Sequence, residues 1–251
     1  MIRVEHHLDQ KGPFAEIIID RPEKRNALTV AMLDQMHDAA MSVAADESAR
    51  ALVVRGEGKV FCSGFDLTPC VEEPEVLRAL LVSLSRLVRT LRRHPRPVII
   101  AAHGAALAGG CALLGAADIV VTHLTAQLGY PVVKLGISPA VSAHTLGLVV
   151  TASRARGLLL DPRTISGEEA RRIGLAQYCV DTPEDTVPRA QIEAMQLAAK
   201  PPESIRRTKA WLNEVDGSLD DAAMDASLAA SLSIVGTPEQ RRMLAEALAA
   251  R

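Results

Sequence analysis

Short apolar runs that alternate with helical stretches constrain the fold of this chain more than any other feature of its sequence. Strand-like runs occur at residues 2–8, 15–20, 51–55, 97–102 and 119–122, and leucines recur at helical spacing over 73–94. Strands that alternate with helices across short turns are typical of an α/β fold. From about residue 190 only helical patterns remain. We therefore predict a core over 1–190 and a C-terminal helical region over 191–251, which we expect to serve as an oligomerisation layer.

Composition excludes several classes of function. The net charge of −2 and the 2% content of aromatic residues argue against nucleic acid as a partner. No apolar run approaches the ~20 residues of a membrane helix, and the first residues lack the apolar stretch of a signal peptide. The 4 cysteines show neither a CxxC pair nor zinc-ligand spacing, so we predict reduced thiols, no metal site and a cytoplasmic protein.

Two glycine-containing turns carry the clearest chemical signals. Residues 60–67 (VFCSGFDL) follow a strand, and residues 97–112 (PVIIAAHGAALAGGCA) run from a buried strand through small residues into a helix. Glycines let the backbone turn its N–H groups outward, and free N–H groups at a helix start stabilise an anionic oxygen. Taken alone, the first segment favours an ordinary turn into a helix, and tight packing of a helix on a sheet is the alternative for the second. The glycines of the second segment do not fit the dinucleotide-binding pattern.

Taken in order, six segments resemble the enoyl-CoA hydratase/isomerase (crotonase) family. They are RPEKRNA at 21–27, FCSGFD at 61–66, AALAGGC at 105–111, LGYP at 128–131, LGISP at 135–139 and TISGEEARRIGL at 164–175. The resemblance implies a spiral of repeated ββα turns with helical C-terminal packing. It also implies a homotrimer or dimer of trimers, an acyl-CoA thioester as substrate or ligand, and no metal or redox cofactor.

The same resemblance assigns roles to individual residues. The backbone N–H groups of Phe65 and Gly109 correspond to the oxyanion hole, which stabilises the enolate of an acyl thioester. The loop that carries Ser63 and Phe65 would contact CoA, and the Phe65 ring would wall the acyl pocket. Arg25 corresponds to a basic residue near the CoA phosphates, although a solvated surface arginine explains it equally well.

The resemblance fails at the positions where hydratases and isomerases carry acids. These positions hold Ala112, Val132 and Ala140. Alanine and valine can neither transfer a proton nor orient a water molecule, and each acid–base step contributes 10²–10⁴-fold to a rate. We therefore predict that the chain does not hydrate enoyl-CoA in the ordinary way.

Candidate replacements for these acids are His144, which follows Pro139 on a predicted helix, and Tyr130, which precedes Pro131. Both residues have an alternative structural role. His144 can be a surface histidine or a hydrogen-bonded core histidine, and Tyr130 can simply line the pocket. A third possibility is an acid from the group Glu72, Glu73 and Glu75. The alternative is that these residues form the solvated start of a helix, where acids are favoured.

Three functions follow from the sequence. The first is an atypical acyl-CoA lyase or isomerase that works through an enolate. The others are a non-catalytic acyl-CoA-binding protein and a thioester hydrolase on the same scaffold. A proton-transferring side chain that faces the oxyanion hole would favour an enzyme, whereas a wholly apolar acyl pocket would favour a binding protein.

Overall fold

A computed structural model describes residues 1–8 and 12–249 of the chain. The end of the predicted C-terminal region therefore lies outside the described residues. The strands are β1 Ile2–His7, β2 Phe14–Ile19, β3 Leu52–Gly56, β4 Val98–Ala102, β5 Ala105–Leu107, β6 Ile119–His123, β7 Gln127–Gly129, β8 Thr164–Ile165 and β9 Tyr178–Val180. The α-helices are α1 Val30–Ala45, α2 Pro74–Arg92, α3 Gly109–Leu114, α4 Ala143–Val149, α5 Ala152–Leu160, α6 Gly167–Ile173, α7 Thr186–Ala198, α8 Pro202–Val215, α9 Asp221–Leu232 and α10 Pro238–Ala249.

The strands form two sheets. The larger sheet has the order β1-β2-β3-β4-β6-β9, and the smaller has the order β5-β7-β8. In the larger sheet only β1 and β2 pair antiparallel; the other neighbours are parallel. Strand β2 is buried at every position, as expected of a strand covered on both faces.

Successive chain segments repeat one ββα turn. Strand β4 joins the large sheet, β5 joins the small sheet, and α3 follows; β6, β7 and α4 repeat this course. After β3, Cys62 makes a parallel bridge to Ala106 on β5 before the chain enters α2. The predicted α/β fold with repeated ββα turns is therefore confirmed.

Local sequence accounts for the two long helices near the cavity described below. The hydroxyl of Thr29 caps α1 by accepting from the N–H of Met32 at 3.2 Å. On α2 the apolar residues fall three or four apart and are buried. The predicted helix over 73–94 ends earlier, at Arg92, because Pro95 disfavours helical backbone in the residue before it.

The C-terminal region is helical, as predicted, but the predicted boundary after residue 190 lies inside α7. This helix packs on β3, β4 and β6 of the large sheet, so it covers the core. Helix α8 is held by Lys209, which is 6% exposed and donates to the Asp118 carboxylate at 2.5 Å. Helix α9 packs on α2, on α4 and on the 3-10 turn Pro139–Ser142, and α10 packs on the 3-10 turns Pro69–Val71 and Pro131–Leu135. Within the described residues no helix is long and apolar enough to cross a membrane.

The buried imidazole of His94 makes stability depend on pH. It is 2% exposed; its Nε2 lies 3.1 Å from the Ala40 carbonyl, and its Nδ1 accepts from the Arg96 N–H at 3.1 Å. Burial lowers its pKa from 6.5 to about 4. Between these values the unfolded chain binds a proton that the folded chain excludes. This group's contribution to stability is therefore complete above pH 6.5 and is lost as the pH falls towards 4.

We expect the free energy of unfolding to fall by up to about 3 kcal/mol from this group between pH 7 and pH 4. Urea unfolding at a series of pH values measures the change. His94→Gln should flatten the pH profile. Equal slopes for wild type and His94→Gln would contradict the assignment.

Candidate active site

A cavity of about 590 Å³ opens where the loop after β3, the start of α3 and the segment after β7 come together. Its exposed rim carries charge: Glu23, Lys24, Arg25 and Lys134. Its inner wall is largely apolar, with side chains from α2, from the segment after β7 and from α10: Leu81, Leu84, Val132, Ile137, Val141 and Leu248.

The two glycine turns identified in the sequence are joined at this cavity. The Cys62 N–H donates to the Ala105 carbonyl, and the Leu107 N–H donates to the Cys62 carbonyl, both at 3.0 Å. Gly64 has φ of +100°, and a Cβ there would lie 3.0 Å from the Ala108 Cβ. Only glycine accommodates both that backbone conformation and that approach.

Within the described residues, the N–H groups of Phe65 and Gly109 donate to no other group of the chain, and both residues line the cavity. The N–H groups of Asp66 and Ala108 beside them are paired: Asp66 donates to the Leu28 carbonyl and Ala108 donates to the Gly129 carbonyl. Two unpaired donors on one concave surface are suited to receive an oxygen from a ligand.

Backbone strain is present beside one of these donors. Ala108, immediately before α3, has φ of +53° and ψ of −114°. A residue with a side chain rarely adopts this conformation, which costs of the order of 1–3 kcal/mol. The surrounding contacts maintain it, and it sets the direction in which the chain enters α3 at Gly109.

The Phe65 ring packs against Gly109. A Cβ on Gly109 would lie 2.9 Å from Phe65 Cε1 and 3.2 Å from Cδ1. The ring is half-buried and forms part of the cavity wall. The family resemblance implies this position for it. A side chain at position 109 would therefore displace the ring or the donor loop.

The predicted CoA-contacting residues lie on the rim. Arg25 is exposed and has φ of +51°, and its carbonyl accepts from the Ser63 N–H at 3.0 Å. Asn26, with φ of +57° and no exposure, holds this turn. Its side chain donates to the carbonyls of Glu57 at 2.9 Å and Val60 at 2.8 Å. The turn that carries Arg25 is thus tied to the loop that leads to Phe65.

The three positions without an acid differ in location. Val132 is buried in the cavity wall. Ala112 lies one turn into α3 at 2% exposure, and Ala140 is half-buried; neither is among the described lining residues. The described lining contains two carboxylates: Glu23 on the exposed rim, and Asp66, which accepts from Arg21 at 2.9 Å.

The structure does not bring His144 into the cavity. Its Nε2 lies 2.9 Å from the carbonyl of Gly217, because this face of α4 packs on the turn between α8 and α9. His144 therefore makes a hydrogen bond within the fold, as the alternative prediction has it, and it is not among the described lining residues. The acids Glu72, Glu73 and Glu75 are exposed and do not line the cavity either.

Tyr130 does line the cavity and is 1% exposed. Its hydroxyl lies near the Cys111 thiol and the Ser142 hydroxyl, but within the described residues it forms no hydrogen bond of normal geometry. Burial raises the pKa of Tyr130 well above 10, and burial likewise raises the pKa values of Cys62 and Cys111 to about 12. At neutral pH all three groups keep their protons, so Tyr130 can donate a hydrogen bond but cannot act as a base.

Sequence reasoning did not identify the polar lining residues Lys134 and Ser142. Lys134 reaches the rim from the 3-10 turn Pro131–Leu135, and Ser142 stands next to Tyr130 in the wall. Neither belongs to a recognisable motif. Only the fold brings the segment after β7 opposite the glycine turns.

Comparison with known proteins agrees with this architecture. The model of the enoyl-CoA hydratase/isomerase family matches residues 9–235. The chain belongs to this family. A Thermus thermophilus relative is 34% identical over 236 residues, which cover 91% of this chain and 90% of its own. A crotonyl-CoA hydratase from Syntrophomonas wolfei is 31% identical over 93% of this chain and 91% of its own.

Solved structures of the family share the fold. A crystal structure of an enoyl-CoA hydratase/isomerase from Xanthobacter autotrophicus Py2 superposes with a TM-score of 0.84. It is 29% identical and covers 98% of this chain and 96% of its own. The predicted family and fold are thereby confirmed.

Proposed function

We propose that this family member binds an acyl-CoA thioester and stabilises its enolate, as an atypical lyase or isomerase. The observation that carries the proposal is the pair of free N–H groups of Phe65 and Gly109 on one cavity. When an acyl thioester loses an α proton, negative charge develops on its carbonyl oxygen. One preorganised donor to such an oxygen is typically worth about 3–4 kcal/mol of barrier.

The charged rim supports CoA as the carrier of the acyl group. Lys24, Arg25 and Lys134 are exposed at one cavity opening, where phosphate groups could remain hydrated. The inner wall, in contrast, suits an acyl chain. A cationic rim around an apolar interior matches a ligand with a polyanionic end and an apolar end.

Ordinary hydration of an enoyl-CoA is not part of the proposal. Ala112, Val132 and Ala140 cannot supply a proton or hold water, and His144 is directed elsewhere. Within the described lining, no histidine and no unpaired buried carboxylate faces the two N–H groups.

The lack of a proton-transferring group in the described lining favours a second candidate, a non-catalytic acyl-CoA-binding protein. An apolar wall with only neutral hydroxyl groups could hold a thioester without removing its α proton. No lining residue favours the thioester hydrolase, which requires an activated water molecule.

Exchange of α protons separates these two candidates. Butyryl-CoA is incubated with the protein in D₂O, and deuterium at the α carbon is read by mass spectrometry, while calorimetry measures binding. Binding with catalysed exchange supports enolate chemistry. Binding without exchange supports the binding protein, and absence of binding would remove both.

Arg25→Ala should weaken binding of CoA and of butyryl-CoA by about 1.5 kcal/mol, the value of one charge-assisted contact. Lys134→Ala should act in the same direction. The control is Arg78→Ala, which removes an exposed arginine of α2 that pairs with Glu75 away from the cavity. If calorimetry gives Arg25→Ala and the wild type the same affinity, Arg25 is a solvated surface residue and does not contact CoA.

Assembly as a homotrimer or dimer of trimers is also proposed. It is supported by an apolar surface on α8, where Trp211, Leu212 and Val215 are 62%, 53% and 58% exposed. Light scattering coupled to size-exclusion chromatography tests it, and a monomer at micromolar concentration would contradict it.

A further inference from the structure

A buried histidine holds the start of the segment that leads to the Gly109 donor. His123 ends β6 and is 3% exposed, and its Nε2 accepts from the Gly104 N–H at 2.9 Å. A backbone N–H can only donate, so this Nε2 carries no proton and the imidazole is neutral. Its Nδ1–H is then directed to the Thr125 hydroxyl, 3.3 Å away. The hydrogen bond to Gly104 therefore exists only while His123 is uncharged.

Gly104 is the point where the chain passes from the large sheet into the small one. It lies between β4 and β5 with φ of +63°, and a Cβ there would overlap the carbonyl group of Lys59. Its own carbonyl accepts from the Gln127 N–H at 2.9 Å. Because the fold leaves this glycine little room, the partner of its N–H group helps to fix how the chain enters β5.

The residues beside Gly104 are bonded to the turn that carries Phe65. The Phe61 N–H donates to the His103 carbonyl at 2.8 Å, and the bonds of β5 described above follow it. From β5 the chain continues directly to Gly109. A displacement at Gly104 would therefore be transmitted to both donors.

We propose that His123 is a positioning residue that keeps the Phe65 and Gly109 donors in place only while its imidazole is neutral. This inference rests on the proposed acyl-CoA function and adds a pH dependence to it. A protonated imidazole has no lone pair for the Gly104 N–H, and two N–H groups would then face each other. Acid therefore releases the start of β5 and weakens the oxyanion hole.

The neighbours of His123 determine when it gains a proton. His103 approaches from the end of β4, and Glu184 approaches from the segment between β9 and α7. The two other neighbours bring no charge, since β9 pairs Val180 with His123 and α6 places Gly167 against its carbonyl. Burial, assisted by His103, lowers the pKa of His123, and the Glu184 carboxylate opposes this shift.

His103 is also neutral at pH 7. It is 5% exposed, its Nε2 lies 3.0 Å from the Gly58 carbonyl, and burial lowers its pKa. Because the pKa values of both imidazoles lie below the ordinary 6.5, the hydrogen bond from Gly104 to His123 is intact at neutral pH. It is lost as the pH falls through the lowered pKa of His123.

Nitrogen-15 NMR of the ligand-free wild type measures the tautomer and its titration. We expect the Nδ1–H tautomer of His123 at pH 7.5. We also expect the Gly104 amide signal to shift together with the protonation of this imidazole. An Nε2–H tautomer, or a Gly104 signal that does not follow His123, would overturn the inference.

The pH dependence of α-proton exchange tests the connection with the site. His123→Gln supplies an amide oxygen that accepts a hydrogen bond but does not titrate. We expect similar exchange of butyryl-CoA by both proteins at pH 7.5. As the pH falls through the pKa that NMR gives, the wild-type rate should drop about 3- to 10-fold below that of His123→Gln, the range that one hydrogen bond supplies. Their ratio cancels the titration of the CoA phosphates.

Two further variants make this result specific. His123→Leu offers no acceptor and should exchange slowly at every pH. His37→Gln is the matched control and should keep the wild-type pH profile, because His37 lies 2.9 Å from the Thr90 hydroxyl and neither residue lines the cavity. Circular dichroism identifies the pH range in which the proteins are folded. Unfolding of the wild type before His123 titrates would also overturn the inference.

The outcomes distinguish this inference from the proposed function. If the protein binds butyryl-CoA without exchange, the dissociation constant replaces the rate. If butyryl-CoA binds but the ratio of wild type to His123→Gln stays constant across the titration, only the inference fails. If butyryl-CoA does not bind, the acyl-CoA function fails, whereas the NMR titration still decides whether His123 holds Gly104. That titration also decides by itself if His123→Gln does not fold.

Discussion

Replacement of Gly109 by alanine is expected to lower the rate of α-proton exchange by about 10²-fold, the effect of losing one oxyanion donor. A Cβ at this position would lie 2.9 Å from Phe65 Cε1, closer than a real Cβ approaches a ring carbon. The ring must move, or the Phe65 and Gly109 donors must separate. If the protein binds without catalysing exchange, the same substitution should instead reduce its affinity for butyryl-CoA.

Two further variants make this result specific. Gly157→Ala, on α5, adds a methyl group that meets nothing within 4 Å and should leave exchange and binding unchanged. The double mutant Phe65→Ala, Gly109→Ala lacks the ring that the new methyl group meets, so it should regain part of the activity that Gly109→Ala loses. A double-mutant cycle measures this coupling. Full activity in Gly109→Ala alone would show that Gly109 supplies no essential donor.

Crotonyl-CoA should not be hydrated at a useful rate, although relatives in the family carry hydratase names. Hydration requires a positioned water molecule and a proton donor for the α carbon. Loss of two acid–base steps of 10²–10⁴-fold each removes most of the activity of a hydratase. The absorbance of the conjugated thioester measures the rate, and robust hydration by the wild type would contradict this reading of the site.

The converse experiment introduces the missing acids. Ala112→Glu combined with Val132→Glu should gain hydration, while Ala112→Gln combined with Val132→Gln adds nearly the same bulk without proton transfer and should not. Both positions are buried, at 2% and 9% exposure, so urea unfolding must accompany the rates. If the two folded double mutants have equal rates, the cavity has diverged from that of hydratases in shape as well as in chemistry.

Features that depend on local pattern are accessible from the sequence alone. Helix α1 spans Val30–Ala45, because the Thr29 cap and the apolar spacing act within a few turns. The glycine turns at 61–66 and 105–111 were recognisable because their small residues and fixed order leave few alternatives. The sequence therefore points to Phe65 and Gly109, and both line the cavity. The absence of acids at positions 112, 132 and 140 is likewise plain from sequence.

The directions of the remaining side chains depend on tertiary packing. His144 and Tyr130 are both candidates from sequence, yet His144 bonds the Gly217 carbonyl and Tyr130 is buried in the cavity wall. The difference arises from packing between segments distant in sequence, as α4 meets the turn after α8. For a related reason the predicted boundary at residue 190 falls inside a helix: α7 continues onto the sheet and buries Ala190 and Ala194 there. Periodicity shows that a helix forms and which face is apolar, but the surface that this face covers is set by the fold.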